Sequence, residues 1–385
     1  MITLLGSTGY IGQAFATELK RRGLPFETFS RAQLDYTRFE PFLAYLRRVK
    51  PAFVINAAGY TGKPNVDACE IAKADTLQGN TLFPAMLAHA CAVTDTPWGH
   101  VSSGCIYSGA KVVRDGHEQV EPDLTQPELR ALYRAGIPLE PASSQPSSSP
   151  DSLPRPQNGG EGRGEGATSS ESTSPIAPPR HHSTTPIADP RSSSNEERAG
   201  VRSRSVAFFR GFTETDTPNF SFRSPPCSFY SGTKALGEEA IAGVGRSYIW
   251  RCRIPFDKHD HPRNYLSKVQ RYSKVYDNVN SISHRRDFVS ACLDTWQKQV
   301  PFGTYNVTNP GAVTTRQVVE AIERVLKPAR PFEFWESDEE FYKVAAKTPR
   351  SNCIMDVTKL LSAGIKIRSV EEALEDSLRH WQPAA

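Results

Sequence analysis

The chain has 385 residues, 38% of them hydrophobic and 23% charged, with a formal net charge of +4. That length exceeds one ordinary domain and predicts two lobes, or a domain with an insertion. The mild, dispersed positive balance excludes a clustered nucleic-acid face and suits small anionic ligands, and no apolar run reaches the roughly eighteen residues of a membrane span.

Met1–Gly6 lacks a basic leader region and passes straight into strand-like residues, so no signal peptide is expected. The first hundred residues alternate strand and helix. Strands are expected at 2–5, 26–29, 52–56 and 99–102, with helices at 11–22 and 38–48 and helical segments within 67–91. Such alternation predicts an α/β fold of Rossmann type, a doubly wound parallel sheet with helices on both faces. The expected divisions are a dinucleotide-binding part at 1–140, an insertion at 141–205, a catalytic helix and return to the sheet at 206–256, and a small substrate lobe at 257–385.

Gly6-Ser7-Thr8-Gly9-Tyr10-Ile11-Gly12 joins the first strand to the first helix. A strand must turn sharply there, its backbone must approach a pyrophosphate, and the anion then sits at the helix N-terminus. Arg31 follows the second strand, where an acidic residue would grip the ribose 2′-hydroxyl of NAD. A guanidinium there pairs with the 2′-phosphate of NADP, so NADP(H) is the preferred cofactor and NAD the alternative. Asn56-Ala57-Ala58-Gly59 ends the third strand with small residues that let the backbone pass close to a cofactor. Asn65 opens a segment expected to line a sugar pocket. Ser103 closes the strand at 100–103, and Cys105 lies two residues on, on the same side if that strand continues.

Residues 141–205 break the pattern. These 65 residues contain 16 Ser, 10 Pro and 6 Gly, and no aromatic residue of the Phe, Trp or Tyr type. They cannot bury enough apolar surface to offset ordering, so disorder is expected, with a partner-binding or phosphorylated loop as the alternative. A helix follows at 230–243. It opens with Tyr230-Ser231-Gly232-Thr233-Lys234, in which Tyr230 and Lys234 share one face at i and i+4. Reduction of a ketone needs an acid at its oxygen. A phenol is too weak near neutrality unless a neighbouring ammonium stabilises its phenolate. Ser103 adds a hydrogen bond to the same oxygen.

A strand is expected at 248–253, and the segments at 283–300 and 315–326 are expected to pack on the core. Arg263, Asn264, Arg350 and Asn352 are candidates for a substrate diphosphate, with surface ion pairing as the alternative. The run Phe332-Glu333-Phe334-Trp335 reads as core packing rather than a base-stacking platform. His259-Asp260-His261 lacks further ligands at suitable spacing, so no metal site is expected. The seven cysteines have no Cys-x-x-Cys spacing and read as free thiols of a reducing cytoplasm.

Taken in order, these motifs resemble the extended short-chain dehydrogenase/reductase (NAD-dependent epimerase/dehydratase) family. Within it the chain is most similar to the nucleotide-rhamnose synthase/epimerase-reductases and more distantly to the dTDP-4-dehydrorhamnose reductases. The residues carrying the resemblance include 59–70, 103–106, 216–220, 229–234, 262–265, 305–311 and 349–352. It implies a triad of Ser103, Tyr230 and Lys234, and an epimerase pair of Cys105 and Lys268. Read from the residues alone, the latter two are a buried thiol and a solvated lysine. The implied substrate is a nucleotide-4-keto-6-deoxyhexose, epimerised at C3 and C5 and then reduced at C4. A simple 4-ketoreductase, another sugar-nucleotide epimerase or dehydratase, and a non-catalytic NADP-binding regulatory subunit are the alternatives. The expected partners are that nucleotide sugar and, in a homodimer, a second copy of the chain.

Overall fold

The computed structural model describes residues 1–63, 65–114, 116–134 and 206–384. The Ser- and Pro-rich segment 141–205, expected from composition to be disordered, lies outside the described residues. From the N-terminus run β1 (Ile2–Leu5), α1 (Tyr10–Arg21), β2 (Phe26–Thr28), α2 (Phe39–Val49) and β3 (Phe53–Asn56). Next come α3 (Lys73–Leu77), α4 (Phe83–Val93) and β4 (Trp98–Ser103), then β5 (Ala110–Arg114), β6 (His117–Glu121), α5 (Pro127–Arg134) and β7 (Val206–Arg210). After these come α6 (Phe229–Ile241), β8 (Ser247–Cys252), β9 (Pro255–Phe256), α7 (Tyr265–Arg271), β10 (Lys274–Val275) and β11 (Val279–Asn280). The remainder includes β12 (Ser283–His284), α8 (Arg285–Gln297), β13 (Gly303–Asn306), α9 (Thr315–Leu326), α10 (Asp338–Val344), α11 (Thr358–Ser362) and α12 (Val370–Arg379).

Six strands form one sheet in the order β13-β8-β4-β3-β1-β2, and every pairing within it is parallel. All residues of β1, β3 and β8 are buried, as befits strands covered on both faces. One face is closed by Phe15 and Leu19 of α1 and Phe288 and Cys292 of α8, packed on Phe53 and Trp250. The other is closed by Phe42 and Leu46 of α2, Leu87 of α4 and Ile241 of α6, packed on Val54 and Trp98. Chain direction across the sheet reverses between β1 and β3, so the carboxyl ends of these neighbours frame the crevice where ligands bind in such folds.

A third cluster builds the C-terminal lobe from Phe256, Leu266, Val269, Val318, Ile322, Leu374 and Leu378. Here one expectation is corrected. Helix α8 does pack on α1 against the sheet, whereas α9 packs on α12 within the lobe's own cluster. Its buried stripe Val318, Val319 and Ile322 is satisfied locally. The helical stretch expected at 67–91 is also interrupted. A 3-10 turn at Val66–Glu70, the short α3 and a π turn at Gln78–Leu82 precede α4. Strands β5, β6 and β7 form a separate antiparallel sheet, and the described flanks of the 141–205 segment, α5 and β7, adjoin it.

Candidate active site

A cleft of about 800 Å³ opens where the carboxyl edge of the sheet meets the lobe, and it gathers most of the residues singled out by sequence. Gly9, Tyr10, Ile11, Ala57, Ala58, Gly59, Asn65, Ser103, Cys105, Tyr230, Lys234, Arg263, Lys268, Arg350 and Asn352 all line it.

The glycine turn is built by close approach. Gly6 adopts φ +76°, and a Cβ there would lie 2.5 Å from the Ala58 nitrogen. A Cβ on Gly12 would lie 2.0 Å from the Gly6 carbonyl oxygen. Both positions therefore require glycine for packing. Gly9 caps α1 without a side-chain hydrogen bond, and no acidic residue occupies the first turn. The N-terminal end of a twelve-residue helix, positive by its dipole, consequently lines the cleft at Gly9, Tyr10 and Ile11. Ser7 and Thr8 shape the turn without lining the cleft, and the Thr8 carbonyl accepts from the Gln13 side chain at 3.1 Å. Tyr10 is clamped, its ring stacked on His261 at 4.7 Å with the Arg285 guanidinium 4.2 Å from its centroid. Arg31 is exposed just past β2, on the same edge of the sheet but outside the cleft lining.

Asn56 is fully buried and acts from beneath. Its Oδ1 accepts from the Ala58 N–H at 3.0 Å, and its Nδ2 lies 3.0 Å from His100 Nδ1. Gly59 leaves room for the catalytic candidate Lys234, whose Nζ would stand 3.4 Å from a Cβ there.

Ser103 ends β4 and faces Cys252 of β8 in register. The strand does not continue to Cys105, which corrects the expectation drawn from strand alternation. A 3-10 turn at Gly104–Ile106 begins instead, capped by Ser103, whose Oγ accepts from the Cys105 N–H at 3.3 Å. Both side chains still reach the cleft, through the turn. Opposite them stands α6, capped by Ser228. Burial pushes the Tyr230 phenol well above its ordinary value, the nearby Cys105 adds to this, and a hydrogen bond with Ser103 opposes it. Burial also lowers the Lys234 ammonium, against the pull of Cys105 and Glu238. The Cys105 thiol is raised by burial, while the Ser103 hydrogen bond and the charges of Arg253 and Lys234 act the other way.

Three cations meet on the lobe side. Arg350 pairs with Asp67 at 2.7 Å, Arg263 hydrogen-bonds Thr61, and Lys268 lies on α7. Burial, then Arg263 and Arg350, lower the Lys268 ammonium. Asn65 caps the 3-10 turn that carries Asp67, and Asn352 Oδ1 accepts from Asn280 Nδ2 at 3.2 Å. Asn264 departs from expectation. It is fully buried, caps α7, and donates to the carbonyls of Asp257 at 2.8 Å and His259 at 2.7 Å, so it supports the lobe and does not line the cleft. No group of three metal-ligating side chains occurs among the described residues.

Several site residues escaped the sequence reading. Asn80, in the π turn, is fully buried and ties Tyr60 to Thr233 of α6. Arg253, just past β8, lines the cleft although only 3% exposed. Phe332 and Phe334 pack on the lobe core as expected, but Trp335 lines the cleft beneath Lys274, whose Nζ is 5.1 Å from its centroid. The polar run Glu336-Ser337-Asp338 directly after Trp335 was the available signal for that.

Residues 1–129 match the family described as the RmlD substrate binding domain. Over 372 residues the chain is 25% identical to a bifunctional dTDP-4-dehydrorhamnose 3,5-epimerase/dTDP-4-dehydrorhamnose reductase of Arabidopsis thaliana, covering 96% of this chain and 90% of that one. It is 24% identical over the same length to a trifunctional UDP-glucose 4,6-dehydratase/UDP-4-keto-6-deoxy-D-glucose 3,5-epimerase/UDP-4-keto-L-rhamnose-reductase of that plant, spanning 96% of this chain but 41% of that protein. The fold matches the UDP-rhamnose synthase of Acanthamoeba polyphaga mimivirus with a TM-score of 0.66 at 18% identity, covering 99% of both chains. It matches the dTDP-4-dehydrorhamnose reductase of Bacillus anthracis, solved with NADP, with a TM-score of 0.62 at 15% identity over 99% and 97% of the two chains.

Proposed function

From a chain whose first 129 residues match the RmlD substrate binding domain and whose full length aligns with epimerase/reductases, we propose an NADPH-dependent 3,5-epimerase/4-reductase. Its substrate is a nucleotide-4-keto-6-deoxyhexose and its product a nucleotide-rhamnose-type sugar. The supporting observation is the meeting of Ser103, Tyr230 and Lys234 with Cys105 and Lys268 in one cleft, beside a tightly packed glycine turn.

The cofactor fits this site. Gly9, Tyr10 and Ile11 would hold its pyrophosphate at the start of α1, Arg31 its 2′-phosphate, and Ala57, Ala58 and Gly59 its ribose side, with Tyr230 and Lys234 at the nicotinamide. When bound it supplies the hydride. Gly6 and Gly12 keep the turn tight enough for this, and Ser7, Thr8 and Asn56 support it from outside the cleft. Tyr230 gives its proton to the C4 oxygen, Ser103 orients that oxygen, and Lys234 steadies the phenolate that remains. Cys105 and Lys268 exchange protons at the carbons beside the ketone, whose acidity the carbonyl raises. Arg263 and Arg350 offer forks to the diphosphate, with Asn65 and Asn352 beside them. The division into a dinucleotide part, an insertion, a catalytic helix and a substrate lobe follows from this assignment of roles. No helix among the described residues is long and apolar enough to cross a membrane. The reading assigns the protein to the cytoplasm, with a homodimer as its assembly.

The test incubates the purified chain with NADPH, and separately NADH, and the UDP- and dTDP-linked 4-keto-6-deoxyglucoses. The expected result is coenzyme oxidation, faster with NADPH, and a rhamnosyl nucleotide as product. Retained NADP binding with no turnover of either sugar would instead favour a regulatory subunit.

A further inference from the structure

A second cavity, of about 950 Å³, is walled by α1, the start of α8, residues 257–259 and the segment leading into α12. It is large enough for a nucleotide and shares no lining residue with the cleft. Its wall is charged, with Ala14 and Ile367 the only apolar side chains among the described residues. Each carboxylate there is already engaged. Glu18 pairs with Arg21 at 2.6 Å, Asp257 with Arg285 at 2.9 Å, and Asp287 and Asp376 with Arg368 at 3.0 and 2.8 Å. Glu372 accepts the Ser369 N–H at 3.0 Å. Lys258 and Lys366, by contrast, have no side-chain hydrogen bond or ion pair among the described residues. Arg286 lies 4.0 Å from Glu18, at the outer limit of an ion pair. Three chain segments thus bring one uncommitted cation each to a single hollow.

One wall residue reaches through to the glycine turn. Arg285, with a side chain 14% exposed, donates from Nη1 to Asp257 at 2.9 Å and from Nε to the Tyr10 carbonyl at 2.7 Å. Its guanidinium also lies 4.2 Å from the Tyr10 ring centroid. Tyr10 in turn opens α1 and lines the cleft. The two hollows therefore share a wall, and Arg285 is the side chain that touches both of its faces.

We propose that this cavity is a regulatory site for a small molecule carrying a diphosphate, whose binding draws Arg285 off the Tyr10 carbonyl and weakens NADPH. The coupling rests on the coenzyme reading above; the site itself does not. The wall selects the ligand. Cations converging from three sides suit a group with several charged oxygens, and a wall so poor in apolar side chains gives no seat to a lipid or a hydrophobic effector. An arriving phosphate competes with Asp257 for the Arg285 fork, because a guanidinium pairs in the same planar way with either. Losing the bond to Tyr10 loosens the residue that starts α1 beside the coenzyme. By linkage, NADPH weakens the second ligand by the same factor.

The experiment titrates the full chain with NADPH by fluorescence at fixed concentrations of inorganic pyrophosphate, of UDP, and of sodium sulfate at matched ionic strength. Calorimetry reads pyrophosphate binding directly. Pyrophosphate should raise the NADPH Kd by about fivefold or more, with the rise levelling off once the site is full. A rise that never levels marks competition at the glycine turn and overturns the proposal. An equal levelling rise in sulfate, the mark of a general anion effect, overturns it too. Equal action of pyrophosphate and UDP identifies the free diphosphate as the group recognised, whereas action by UDP alone identifies a nucleotide. The double variant Lys258→Ala/Lys366→Ala should bind NADPH as the parent does and lose about tenfold or more in pyrophosphate affinity. Unchanged pyrophosphate affinity, or a UDP effect that survives in this variant, overturns the site. Arg285→Lys keeps the charge without the fork, so it should still bind pyrophosphate while the NADPH response shrinks. An undiminished response there overturns the route through Arg285. If the parent chain fails to bind NADPH, the coenzyme reading falls, and calorimetry on the same variants still decides the site.

Discussion

At the scale of single residues, the proposed function makes the phenol of Tyr230 the group on which reduction depends. Tyr230→Phe removes the proton donor and little volume, so ketone reduction should fall by about 10²–10⁴-fold with NADPH binding retained, read by steady-state rates and cofactor titration. Tyr230 and Lys234 were legible in the sequence because their relation is local, one helical turn on a single element. Ser103 was legible for a similar reason, at a strand end. Cys105 reaches the cleft as expected but through a turn, since the Ser103 hydroxyl captures the next available N–H and ends the strand. Asn264 misled because an asparagine that caps a helix and one that binds a ligand look alike in one dimension. Arg253 was illegible because its partners Asn280 and Ser351 are 27 and 98 residues away.

At the scale of elements, α6 must stay seated for its face to remain aimed. A buried ion pair does this, Arg251 of β8 with Glu238 of α6 at 2.7 Å. Ser102 of β4 donates to the same carboxylate at 2.5 Å, and Arg251 also reaches the Tyr107 hydroxyl at 3.0 Å. Glu238 is one turn beyond Lys234, so the anchor and the catalytic face share one helix. Glu238→Gln strands a buried guanidinium, and we expect about 3–5 kcal/mol lost in urea unfolding, with reduction impaired alongside. The elements themselves followed from hydrophobic period, with ends displaced by one or two residues. The exception is 67–91, where the π turn inserts a residue into the helical ladder and turns Asn80 inward. No hydrophobic pattern encodes that, because the residue turned inward is an asparagine.

At the scale of the whole molecule, sheet and lobe are joined by a charged seam as well as by apolar packing. Asp287 of α8 receives Arg368 at 3.0 Å and His284 at 3.1 Å. Burial alone would raise its carboxyl, yet hydrogen bonds and charge from His284 and Arg368 outweigh this and hold it at about 2. A carboxyl lowered on folding adds stability above its unfolded value, near 3.9, and loses it as pH falls through the folded one. Asp287→Asn should therefore be less stable than the parent near neutrality, with the gap closing as pH falls from about 4 towards 2, as followed by thermal melting across that range. A parallel doubly wound sheet was readable from strand and helix alternation. The separate sheet of β5, β6 and β7 was not, because its strands are split by a compositionally biased segment.

The shared turn at 103–105 has one more consequence. On the proposed function, the oxygen assigned to the carbonyl and the sulfur assigned to proton exchange ride on the same hinge, so drift in either drags the other out of line. Selection acting on one chemistry would thus be felt by both. A descendant retaining ketone reduction alone should show its scars here, in a rebuilt capping residue, before any appear in the coenzyme's cradle.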